Sequence, residues 1–350
     1  MRWVRAGFLP LSVVTLLSAA LLVPLPFYLE RPGRTVSLGA CVAVATDGGG
    51  LDGDFLLTTI NVLPATTVDA VLGIADPDTR VVPRRQLLPP GVDTDVFFEQ
   101  QRQLFASTAD VAAAVGLEAA GYQVKLEGEG VQVVRVLPGS PADGVLRPGD
   151  VIVAIDGTPV RIEAELRELI AAATVGEPLH LEIRRGEEPL EVEVAPEEVQ
   201  GLPVIGILPQ TLHPRVNLPV AVDVTTGQIG GPSAGLMIAL TVYDKVAMDT
   251  DLAAGRVIAG TGSLNQDGRV GPIGGIELKV LAADARGADV FLAPVADSRR
   301  AIAAVPAGSP LRVVPVETFE QARTALVETA GEVRRSAPDA PDDCPYREAA

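Results

Sequence analysis

At 350 residues and 47% hydrophobic, the chain is long enough for two or three domains and apolar enough to fill their cores. A formal charge of −17, with arginines scattered rather than clustered, argues against nucleic acid as a partner, because binding it needs a concentrated basic surface. Cys41, Cys344, His180 and His213 fall at no zinc-ligand spacing, and no G-x-x-x-x-G-K-[ST] phosphate loop occurs, so no cofactor is expected.

Residues 7 to 29 run without a charge behind Arg2 and Arg5. That length suits one bilayer-spanning helix, and the basic flank favours a cytoplasmic location for residues 1 to 6. The rival is a cleaved signal peptide, but the run is long for one and no small-x-small site follows it. The expectation is a single-pass membrane anchor with the bulk of the chain outside the cytoplasm. In such an oxidising setting a bond between Cys41 and Cys344 stays open, and their spacing does not decide it.

Residues 35 to 120 read as a β/α segment. Strand-like alternation covers 36 to 44, and 55 to 62 is rich in β-formers. Residues 74 to 93 hold four prolines and read as an extended connection. From 94 to 120, Phe97, Gln101, Leu104, Val111, Ala114 and Leu117 recur at helical spacing, and Gly121 is a normal stop. Residues 121 to 197 form a second unit, with strands at 131 to 137 and 151 to 155, an amphipathic helix at 163 to 173, and a hairpin of 179 to 184 with 190 to 194. Residues 198 to 330 form a third, alternating strands with helices at 233 to 244, 276 to 286, 298 to 304 and 318 to 329. Residues 331 to 350, rich in Pro, Asp and Ala, read as a disordered tail. The fold class is therefore α+β.

Two stretches of the third unit carry chemistry. Gly230, Gly231 and Gly235 flank Ser233, and glycines let a substrate backbone approach closely. Pro232 suits the first position of a helix, whose N-terminus offers unpaired N–H groups to an oxyanion. A Gly-Pro-Ser turn that merely caps a helix has the same spelling. Downstream, Lys279 is a lone lysine among Ile276, Leu278, Val280, Leu281, Ala282 and Ala283. Burial there would lower its pKa toward that of a general base, whereas a surface position would leave it snorkelling. Lys245, about 18 Å along the serine's own helix, is too far to reach the hydroxyl.

Gly231, Pro232, Ser233, Ala234 and Gly235, together with residues 271 to 283, resemble the two signature blocks of the Lon protease proteolytic domain, a Ser-Lys peptidase family (S16). The resemblance implies Ser233 as nucleophile, Lys279 as its base, and Thr261 as a residue that orients the lysine. Gly231, Pro232 and Ala234 would then shape the oxyanion loop. Gly230 stands where family members often carry an acid, which puts regulation in question.

Pro138, Gly139, Ser140, Pro141 and Ala142, followed by residues 146 to 157, resemble the central run of a PDZ domain. By position, Gly121 and Tyr122 would hold a peptide carboxylate, and Gln123 and Val124 would begin the strand that pairs with the peptide, beside helix 163 to 173. The segment at 35 to 120 resembles the opening of the protease domain, so the PDZ unit is expected to be an insertion. The whole chain resembles membrane-anchored, PDZ-bearing, Lon-like proteases of bacteria. That implies an ATP-independent serine endopeptidase acting on unfolded or flexible proteins, with peptide C-termini captured at the PDZ unit and, by analogy, a hexameric homo-oligomer. The competing function is a catalytically idle PDZ scaffold of the cell envelope.

Overall fold

The computed structural model describes residues 24–45, 51–89, 91–199, 201–248, 250–330, 344 and 346. The chain divides into two compact units, one drawn from residues up to 123 and from 220 onward, the other formed by residues 124–219. The first half of the larger unit holds β1 (Pro24–Ser37), β2 (Gly53–Thr66), α1 (Thr67–Ala75), β3 (Arg80–Pro83) and α2 (Thr94–Ala119). The smaller unit holds β4 (Val131–Val136), β5 (Val151–Ile155), α3 (Glu163–Ala171), β6 (Leu179–Arg185), β7 (Glu188–Val194), β8 (Leu202–Val204) and β9 (Ile207–Thr211). The chain then returns with α4 (Gly235–Val246), β10 (Arg256–Gly260), α5 (Ile276–Ala285), β11 (Val290–Pro294), α6 (Val295–Ala303), β12 (Arg312–Val316) and α7 (Phe319–Thr329).

In the larger unit six strands lie in the order β12-β11-β10-β2-β1-β3. The pairs β12/β11, β11/β10 and β10/β2 are parallel, and β2/β1 and β1/β3 antiparallel. Strands β10 and β11 are buried along their whole length, as befits parallel strands covered on both faces. The sheet thus joins strands from before and after the smaller unit. Helix α4 is almost wholly buried and lies close against α2: a side chain at Gly116 would put its Cβ 2.5 Å from the Ala239 carbonyl oxygen.

The beginning of β1 corrects the sequence reading. Pro24 pairs opposite Thr66 and Leu29 opposite Leu63, and Leu29 is buried with Ala65 and Ala70. Residues 24 to 29 are therefore sheet, not the end of an anchor, because their backbone and alternate side chains are used by β2 and α1. Residues 1 to 6 and 7 to 23 lie outside the described residues. Among the described residues, no helix is long and apolar enough to cross a membrane. Helix α1, which the sequence reading did not include, starts with a capping box: Thr66 accepts from the Asp69 N–H, and the Asp69 carboxylate accepts from Thr66 N.

The tail reading is corrected at one point. Cys344 is bonded to Cys41, both are buried, and Tyr346 lies against Gly227. The rest of 331 to 350 lies outside the described residues.

The smaller unit is an antiparallel sheet, β7-β6-β5-β4-β9, over a core that includes Val131, Ile152, Leu166, Leu181 and Ile183. Asp150 is buried and forked by Arg185, with Nε and Nη2 each 2.8 Å from a carboxylate oxygen. Burial alone would raise this carboxyl, but hydrogen bonds from Arg185 and the Arg147 N–H, with the guanidinium charge, hold it below the usual range. The expected boundary at 197 and 198 also moves. Strand β9 pairs with β4 from Ile207↔Val136 to Thr211↔Val131, so the compact unit of residues 124–219 extends past that boundary.

Candidate active site

The serine loop is built by its glycines. Gly231 sits at φ 90°, a conformation that L side chains rarely adopt, and turns the chain into a 3₁₀ turn, Pro232–Ala234, with proline first. That turn runs directly into α4. A side chain at Gly235 would bring its Cβ 2.9 Å from the Leu264 nitrogen, so the neighbouring backbone can pass only a glycine. The loop is tied down on two sides: Gly231 N–H donates to the Gln101 carbonyl at 2.8 Å, and Gly262 N–H to the Ser233 carbonyl at 3.0 Å.

Lys279 closes the first turn of α5, whose N-cap Gly275 is in the left-handed conformation, φ 64° and ψ 35°. Its side chain is 4% exposed and its Nζ lies 2.7 Å from Ser233 Oγ and 3.0 Å from Thr261 Oγ1. Thr261, fully buried at the end of β10, donates its hydroxyl to the Ser233 carbonyl at 3.0 Å. With its proton spent there, the threonine oxygen can only accept from the amine. Burial pushes Lys279 down from 10.5 to about 7. An amine so placed exists in quantity as the neutral base at neutral pH.

The structure brings Ser233, Lys279 and Thr261 together. The expected loop residues Gly231, Pro232 and Ala234 line the same cavity as Ser233 and Lys279; the Gly231 N–H is taken by Gln101, Pro232 has none, and Ala234 lies within the 3₁₀ turn. The Ser233 N–H, at the second position of that turn, precedes the first intrahelical bond. Lys245 points elsewhere, its Nζ 2.7 Å from the Gly39 carbonyl. Around the dyad lies a cavity of about 600 Å³ whose walls include Ile60, Leu87, Phe97, Phe98, Ile229 and Ile273. Sequence reasoning missed these walls. Adjacent Phe97 and Phe98, edge to face at 5.5 Å, were a signal: a helix covering only a core does not need both.

The expected peptide-binding residues fall differently. Gly121 is the C′ residue of α2: the Tyr122 N–H donates to Leu117 O and the Gly121 N–H to Glu118 O, a Schellman ending. Gln123 and Val124 are irregular, and the strand after them, Lys125–Glu127, already pairs with Arg215–Asn217. None of the four lines the unit's groove of about 750 Å³, which runs between α3 (Leu166, Ile170) and Val204, Ile205 and Ile207. Helix α3 is the expected wall; the opposite wall comes from β8 and edge strand β9, beyond the boundary drawn from sequence.

Residues 119–195 match the PDZ domain model, and residues 210–328 match the Lon protease (S16) C-terminal proteolytic domain. The chain carries a PDZ domain and a Lon-type proteolytic domain. Over 134 residues the chain is 35% identical to the Lon protease of Heliobacterium modesticaldum, covering 37% of this chain and 16% of that protein. It is 39% identical over 71 residues to serine protease HTRA3 of Homo sapiens, covering 20% and 15%. Among solved structures, the PDZ domain of an SdrC-like protein from Listeria innocua is 31% identical, with 24% of this chain and 98% of that one covered and a TM-score of 0.23. The chain thus spans less than a fifth of the length of the curated relatives it matches. The Lon-type match begins at 210, yet Ile60, Leu87, Phe97 and Phe98 of the cavity wall come from the segment before the PDZ domain.

Proposed function

We propose that the protein is an ATP-independent serine endopeptidase with a Ser233–Lys279 dyad, held at the outer face of a membrane by residues 7 to 23. The observation that carries the reading is a buried amine near pKa 7, 2.7 Å from a hydroxyl at a helix N-terminus. Neutral Lys279 takes the Ser233 proton as Oγ bonds to the scissile carbonyl carbon, and the Ser233 N–H faces the resulting oxyanion. The ammonium then gives that proton to the leaving amine, and water, deprotonated by the same lysine, releases the acyl group. Thr261 holds the amine so that its lone pair meets Ser233. The apolar walls favour apolar side chains from flexible or unfolded proteins. The groove between α3 and edge strand β9 suits an extended peptide added as a strand.

The test is turnover of casein or a fluorogenic peptide by the full chain. Ser233→Ala abolishes it, and kcat/KM of the parent rises with pH through about 7 as Lys279 loses its proton. Equal turnover by parent and Ser233→Ala refutes the dyad, and no turnover by the parent favours the scaffold reading.

A further inference from the structure

Helix α1 is apolar on all sides. Its inner residues Ala70 and Gly73 pack against Leu29 and Val81, as such a helix requires. Its outer residues are apolar too: Val71 is 63% exposed, Leu72 60% and Ile74 78%, with Leu63 of β2 at 41%. The one charged residue, Asp69, is folded back onto Thr66, so nothing on the outer face carries charge. An all-round apolar helix belongs in a core or against a membrane.

Its position indicates which. The register sets Thr66, the N-cap of α1, opposite Pro24, the first described residue of β1. Pro24 follows directly on the uncharged residues 7 to 23. The apolar surface continues along β1, where Leu25 and Phe27 pack beside α1. Phe27 also lines a cavity of about 790 Å³ with Pro26, Pro83 and Leu88, bordered by Arg84, Arg85 and the N-cap residue Asp93. Arg84 is fixed, donating to Thr94 Oγ1 at 2.9 Å and to the Val92 carbonyl at 3.1 Å; Arg85 is exposed. Apolar side chains beside two arginines make a border suited to acyl chains below and phosphate headgroups above.

We infer that the outer face of α1, with the Phe27 cavity beside it, rests in the interfacial layer of a lipid bilayer as a second membrane contact. This rests on the reading of residues 7 to 23 as an anchor. The contact would fix the orientation of the larger unit on the membrane rather than leave it swinging from a single tether, and so fix where its cleft opens.

The test uses the full chain, with Trp3→Phe to remove the native indole, in vesicles of phosphatidylcholine and phosphatidylglycerol. Flotation with the vesicles reads the anchor. Ile74→Trp reads the face, and Leu72→Trp serves if the first variant does not fold. Ile302→Trp on α6, 56% exposed at the opposite edge of the sheet, is the control. Brominated acyl chains should quench the α1 indole roughly two-fold or more, as for a side chain about 5–10 Å into the interface, and leave the control unchanged. Flotation without selective quenching overturns the inference and spares the anchor; failure to float overturns both. An unquenched α1 indole whose emission shifts blue with protein concentration assigns the face to a second copy instead.

Discussion

Replacing Lys279 with methionine keeps an unbranched stem and removes the amine. In the parent, burial holds the folded pKa at about 7 against 10.5 unfolded, so between those values the unfolded chain binds a proton that the folded chain does not. Stability of the parent therefore rises with pH across that window. At 1.36 kcal/mol per pKa unit, the buried amine costs about 4 kcal/mol at pH 7, about 2 at pH 9 and below about 1 at pH 10.5. The substitution also loses the bonds to Ser233 and Thr261, roughly 1 kcal/mol each. The difference should change sign: Lys279→Met is more stable than the parent by about 2 kcal/mol at pH 7, level near pH 9, and less stable by 1–2 kcal/mol at pH 10.5. Urea unfolding followed by circular dichroism at the three pH values measures it. A difference that does not vary with pH would refute the reasoning, since the amine would then titrate alike in both states.

Thr261→Val keeps the shape of the side chain but frees the amine from its orienting acceptor; kcat should fall roughly 10–100-fold with KM little changed, equivalent to about 1.5–3 kcal/mol. Cys344→Ser should lower stability by about 2–4 kcal/mol, and reductant should reproduce that loss in the parent while leaving the variant untouched. Asp244 is buried with Oδ1 accepting from Leu252 N and Oδ2 unpartnered, and burial pushes it up to about 6. The folded chain keeps that proton longer than the unfolded one, so stability falls as pH rises from about 4 to 6. Asp244→Asn should gain about 2–3 kcal/mol at pH 7 and nothing below pH 4.

Ser233 and Lys279 were paired through the resemblance of their two short blocks to a known signature; read on their own, those blocks fit a helix-capping turn and a surface lysine equally well. What escaped was set by partners distant in sequence. Residues 24 to 29 continue an uncharged run, and only pairing with β2 separates sheet from the apolar stretch before it. Thr66 and Asp69 spell a capping box, but Gly73 and four β-branched residues make α1 a poor helix by propensity. Leu202, Val204 and Ile207 were set apart from the PDZ domain because the third unit was drawn from residue 198. The pairing of Ile207 with β4, and the place of all three in the groove beside α3, decide otherwise. The oxyanion donors could not be assigned from the loop alone, because the Gly231 N–H is consumed by a carbonyl on α2, 130 residues earlier.

The bond between Cys41 and Cys344 turns most of the polypeptide into a closed ring, with a sequence separation of 303. The whole PDZ domain lies inside it, as do Ser233 and Lys279. One cut anywhere in that ring opens it without releasing a fragment, so a chain nicked once stays a single covalent molecule, heavier only by the one water that hydrolysis adds. On a gel without reductant such a molecule is indistinguishable by weight from intact protein, and the damage appears only when the thiols are freed. For this chain a first cut in the ring and the loss of a covalent part are two separate events, the second needing either reduction or another cut.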